Sequence, residues 1–252
     1  MSSKGRSLPL TEIANLFRKP VAQQELELKN FIKPIKGGLK SYGPSKRCTA
    51  EACGATGGLL EDTEPLRGDA LRRYLGKLTK GDVAAADFNW PIVEAISSWV
   101  AEKGIRARHR EFDPVTLVGS GRKDLVASAI VVRDGRGSML TLDPRRANYL
   151  TPNGILVVQS LVHHLLRAQF PELAELDIAV LQFPETREWL DEAKDMRKRT
   201  VSEHALGGVE PIPFAELRRG VAETLGIFEA LRRRDPVPAP DLGMDDLFKR
   251  PA

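Results

Sequence analysis

The sequence predicts a mixed α/β fold: a mixed central sheet flanked by helices, with extended arms at either end. Three observations carry this reading. Two apolar, partly β-branched runs, 125–132 and 139–142, flank Asp134-Gly135-Arg136-Gly137, and Asp-Gly between such runs is a strong short-range hairpin signal. Ile155, Val158, Leu161, Val162, Leu165 and Leu166 then recur at helical spacing across 154–168. Residues 178–183 read as a short buried strand stopped by Pro184. A strand–helix–strand unit with a short crossover sets its strands parallel, while the hairpin adds an antiparallel neighbour.

The other elements follow in order. Leu10, Ile13, Ala14, Leu16 and Phe17 form a short amphipathic helix capped by Thr11 and ended by Lys19-Pro20, and 21–31 add a second. The interval 33–68 is rich in Gly, Pro, Ser, Lys and Thr and reads as a long loop or arm. Residues 68–80 form a helix with Leu71, Leu75 and Leu78 inward. A stronger helix over 87–103 is opened by Trp90-Pro91 and closed by Lys103-Gly104. Residues 105–111 alternate apolar or small residues with cations, a period-two strand pattern that places Arg106, Arg108 and Arg110 on one face; 115–118 form a further strand. Residues 186–198 are expected to form a charged helix with Trp189, Leu190, Ala193 and Met196 inward, and 214–234 a long helix ending in Arg232-Arg233-Arg234. The expected division is 1–68 (helix and arm), 69–234 (α/β domain) and 235–252 (flexible tail).

Composition narrows the function classes. The chain has 252 residues and 42% hydrophobic content, ample for a core. It lacks an apolar run of roughly 18 residues and a signal-peptide core, so no membrane association is expected and the reading is cytoplasmic. The net charge of +4, from 38 Lys+Arg against 34 Asp+Glu, is a mild basic bias. Cys48 and Cys53 are the two cysteines; half of a zinc site and two incidental reduced thiols are both readings of the pair, the missing further ligands favouring the thiols.

The hairpin–helix–strand order resembles the core of PD-(D/E)XK nucleases, the RecB-type branch in particular, over roughly residues 90–183. Gly121-Arg122-Lys123-Asp124 is similar to that branch's first acidic motif, Asp143 to its second acid, and Gln159 to its helix glutamine. The chain departs from the pattern at Pro144-Arg145, where x-Lys is expected, and at His163, where tyrosine stands. The resemblance implies a restriction-endonuclease-like core and Mg²⁺-assisted phosphodiester hydrolysis. On that reading Asp124, Asp143 and Glu111 are the metal ligands, with Glu94 a further acid, and Asp124, Asp143, Arg145 and Gln159 the catalytic set. Arg106, Arg108, Arg110, Arg122, Lys123, Arg146 and His163 would contact nucleic acid, DNA ahead of RNA. A hairpin turning over 134–137 pairs Asp143 near Ser128 and Ala129 and leaves Asp124 beyond reach unless a bulge intervenes. Plain alternatives stand beside each role: Asp143-Pro144 as a strand terminus, the arginine row as an edge-strand guard, and the Gln159–His163 face as a polar stripe.

Two readings of function result. One is a nuclease-fold protein acting on or bound to nucleic acid, active with Mg²⁺ or degraded to binding only. The alternative is a non-enzymatic assembly or adaptor subunit, without a cofactor, that reaches protein partners through the arm 33–68 and the tail 236–252. Within that tail Asp245-Asp246-Leu247-Phe248 resembles the Leu-Phe peptides that dock on bacterial sliding clamps, without their leading glutamine; so short a match arises often by chance, and the favoured reading is an anchor folding back on its own domain.

Overall fold

The computed structural model describes residues 8–33, 41–54, 64–108, 115–116, 123–125, 129–133, 135–145, 148–190 and 194–234. Its centre is a five-stranded sheet in the order β1 (Arg106–Arg108), β4 (Ala129–Arg133), β5 (Arg136–Asp143), β6 (Asp177–Gln182) and β9 (Ser202–Ala205). The β5–β6 pair is parallel and the other pairings are antiparallel. The crossover between β5 and β6 is α6 (Pro152–Gln169), so the mixed sheet flanked by helices stands as expected.

Alternation along the strands builds two cores. Ile130, Met139, Ile178 and Val180 face a layer formed by α6, α1 (Leu10–Leu16) and α7 (Phe214–Arg234). Val131, Leu140, Leu142, Ala179 and Leu181 face the opposite layer of α3 (Gly43–Ala52), α4 (Gly68–Leu78) and α5 (Val83–Lys103). A third cluster lies outside the first layer, where α2 (Val21–Ile32) packs on α7 through Leu28 and Phe228. In α7, Leu217, Val221, Thr224, Phe228 and Leu231 recur three and four residues apart and are buried, the apolar stripe that fixes the helix in place.

Several elements differ from the sequence reading. Residues 186–198 are not a helix. They form an antiparallel ribbon, β7 (Glu185–Leu190) with β8 (Lys194–Arg199), in which Glu188 lies opposite Met196 and Trp189 opposite Asp195. In that register Leu190 and Met196 share one face and Trp189 lies on the other, so the apolar spacing that fits a helix face is split between the two sides of the ribbon. The interval 33–68 is not wholly a loop, because α3 occupies its middle, with Pro44 at the first turn where a missing N–H costs nothing. Helix α5 starts eight residues before Pro91; the Asp82 side chain caps it by accepting from Ala85 N at 3.0 Å, and Gly104, in the left-handed region at φ 60°, ends it. Helix α1 is preceded by Pro9 rather than capped by Thr11. The hairpin turn holds two residues, not four: Arg133 pairs with Arg136, and Gly135 supplies a φ of 75°. That register sets Ala129 opposite Leu140, so Asp143 runs past the described start of β4 and pairs only with Gln182 of β6. Strand β2 is Val115–Thr116, paired with β3 (Lys123–Leu125) in a sheet of its own, and β9 was not anticipated. Among the described residues, no helix is long and apolar enough to cross a membrane.

Asn89 joins α3 to α5. It is fully buried, its Oδ1 accepting from Ser45 N at 3.2 Å and its Nδ2 donating to Ser41 O and Ala85 O. Replacing it by alanine leaves the buried Ser45 N–H without an acceptor and away from water. Asn89→Ala should therefore cost about 1–3 kcal/mol, measured by urea denaturation, with the α/β far-ultraviolet dichroism retained.

Candidate functional site

Of the polar residues singled out in the sequence, Asp143 and Arg145 come together, in a cluster at the carboxyl ends of the parallel strands β5 and β6. Asp143, the last residue of β5, is completely buried. Its carboxylate receives two bonds from Arg145, Nε at 2.6 Å and Nη2 at 3.1 Å, one from the Leu150 N–H at 2.7 Å and one from Gln182 Nε2 at 3.3 Å. Arg145 Nη1 reaches on to Glu12 of α1 at 3.1 Å. Pro144 ends the ladder, since it has no N–H to give, and its carbonyl accepts from the buried Arg199 at 3.0 Å.

The surrounding bonds hold the loop between β5 and α6. Gln182 Nε2 also donates to Leu150 O, and the Tyr149 hydroxyl to Phe183 O. Asn15 of α1 donates to Tyr149 O at 3.0 Å and accepts from Thr151 N at 2.9 Å. Thr151 in turn caps α6, its Oγ1 accepting from Gly154 N. Asn153 Nδ2 donates to Phe17 O. The cluster thus ties α1, the β5–α6 loop, the end of β6 and the base of the β7–β8 ribbon together.

The remaining candidate residues do not share one centre. Gln159, buried in α6, donates from Nε2 to Ile178 O at 3.1 Å and His204 O at 2.7 Å, which fastens the helix to β6 and β9. His163 lies one turn further along, half-buried, with Nδ1 2.8 Å from Arg167 Nη1. Burial, then the charge of Arg167, then His164 hold its pKa below the usual 6.5. Asp124 and Lys123 lie in β3, in a different sheet from Asp143. Arg106 and Arg108 lie on edge strand β1, and Glu94 is exposed on α5. Arg110, Glu111, Arg122 and Arg146 fall outside the described residues, as does the tail 236–252.

Among the described residues, no group of three or more His, Cys, Asp or Glu is arranged to hold a metal ion. Cys48 and Cys53 are free and buried in the α3–α5 core. Burial first, with nearby negative charge adding to it, pushes both thiols up to about 12, so they stay protonated and apolar in character. The partners of Asp143 were missed in the sequence because Glu12 stands 133 residues from Arg145 and Leu150 contributes only its backbone.

These features define a class: an α/β body whose one concentrated polar cluster is consumed in joining its own elements. The chain belongs to the SocB family, described as the sliding clamp-binding bacterial toxin SocB, whose family model matches residues 11–235. No curated protein and no solved structure matches the chain. The PD-(D/E)XK resemblance is corrected by this membership, and with it the nuclease and DNA-binding readings drawn from the hairpin–helix–strand order. That order is a generic α/β topology and does not by itself specify a site.

Two expectations follow from the geometry. Arg145→Ala leaves the Asp143 carboxylate buried without its counter-charge, and should lower stability by about 3–5 kcal/mol in urea denaturation monitored by tryptophan fluorescence. His163 has a folded pKa below its unfolded one, so the unfolded chain takes up the proton first as pH falls. Stability from this group is therefore complete above pH 6.5 and is lost as pH drops below it, levelling off under the folded pKa. In His163→Gln the decline of melting temperature over that window should flatten; an unchanged pH profile would contradict the assignment.

Proposed function

We propose that this chain is a toxin that acts by binding the bacterial sliding clamp, a protein–protein interaction without chemical turnover. The observation that carries the reading is membership of a family described by that partner, over residues 11–235 of the 252. Two features support it. The Asp143 carboxylate accepts four hydrogen bonds, is paired with Arg145 and is closed to solvent, so its bonding serves the fold. The sequence of the tail also contains Asp245-Asp246-Leu247-Phe248, in which two large apolar side chains follow two acids and precede Lys249-Arg250. Such a pair suits an apolar pocket on a partner, with the acids at its rim.

On this reading the tail peptide contributes apolar anchoring, and the α/β body presents it and adds contacts of its own. No cofactor is required, so association should not depend on Mg²⁺. The test is calorimetric titration of the full chain into purified sliding clamp, repeated with Leu247→Ala/Phe248→Ala and repeated in EDTA. A saturable complex is expected, unaffected by EDTA and weakened about ten-fold or more by removal of a buried anchor pair. Absence of heat and of any complex by wild type at tens of micromolar, or loss of binding on metal removal, would overturn the reading.

A further inference from the structure

Helix α2 packs inward through Leu28, with Phe31 and Ile32 against the same cluster, yet it also buries a glutamine and leaves large apolar side chains outside. Gln24 is buried at 3% exposure, bonding Thr224 of α7 at 3.0 Å and Lys19 O at 2.9 Å, while Leu26 stands 61% exposed and Val21 49%. The outward positions are Val21, Ala22, Gln23, Leu26, Lys29 and Asn30, of which only Lys29 is charged. On α7, which α2 packs against, the exposed positions include Arg218, Arg219, Glu223, Glu229 and Arg233. A charge-poor face with an apolar centre, set in an otherwise charged surface, has the composition of an interface core.

The reach of the family match adds a second, independent point. A binding property that describes a family is carried by residues its members share, and the match covers 11–235, which includes α2 and leaves out 245–248. The folded body must then hold a contact for the partner. Of the large apolar residues exposed among the described residues, Leu26 is the one that stands at the middle of a charge-poor helix face, one turn from Ala22 and Asn30, whereas Val21 lies at the helix start and Val83, Val209 and Phe214 lie on three separate stretches of the chain.

We propose that the outer face of α2, centred on Leu26, is the contact of the folded body with the sliding clamp. The tail peptide supplies a separate contact, and the two act together through the chain that joins them. This placement rests on the clamp-binding reading above.

Full-length wild type, Leu26→Glu, Leu26→Met and Leu247→Ala/Phe248→Ala are titrated with purified sliding clamp, with thermal melts in parallel. Leu26→Glu should weaken binding about ten-fold or more, as loss of an interface anchor does, with an unchanged melt because the side chain lies outside the core. Leu26→Met should bind as wild type. Should Leu26→Glu lower the melt, Ala22→Arg places a charge on the same face without touching Leu26 and is expected to weaken binding likewise. Wild-type affinity in either charged variant overturns the placement alone. No binding by wild type overturns the clamp reading and this placement with it.

Discussion

The buried carboxylate of Asp143 is the constraint on which the rest of the architecture depends. A charge at zero exposure is tolerated only with an opposite charge and full hydrogen bonding. Arg145, two residues on, supplies the charge, but the remaining lone pairs need the Leu150 N–H and Gln182, so the loop must fold back and β6 must lie alongside. Satisfying one group thereby fixes the entry to α6 and the register of the parallel pair. The requirement spreads outward from there. Glu12 brings α1 to Arg145, Asn15 holds it to Tyr149 and Thr151, and Arg199 ties the ribbon to Pro144.

This arrangement separates architecture from action. In open α/β sheets the carboxyl ends of parallel strands are the usual place for ligands. Here that place is filled by the chain's own first helix, with Leu10, Ala14 and Phe17 in the core beside it. Among the described residues this polar cluster serves the fold, and a family described by a protein partner is consistent with that use.

Much of the fold was legible because its signals are local. The Asp-Gly turn, the helical period of α6 and the buried run of β6 lie within consecutive residues, and α7 carries its whole stripe in one stretch. The β7–β8 ribbon was not legible, since Trp189, Leu190 and Met196 fall at helical spacing and the deciding cross-strand pairs exist only after folding. Helix α3 was obscured by Gly, Pro and Ser around it, although Pro44 just inside its start was a usable signal. The site was legible in part: Asp143 stood out as an acid at a strand end, but its role is set by Glu12, Leu150 and Gln182, which no spacing in the sequence connects to it. Gln159 was singled out for its place on the helix, and its two backbone partners come from strands, one of which, β9, carries weak period-two patterning.

The central claim is that the chain works by holding a protein partner. The most direct measurement is size-exclusion chromatography with light scattering on full-length protein mixed with purified sliding clamp, in buffer free of divalent metal. A single species with the summed mass of the partners is the predicted result. Two separate peaks at the masses of the isolated proteins, across concentrations up to about 100 µM where even weak specific complexes form, would contradict it.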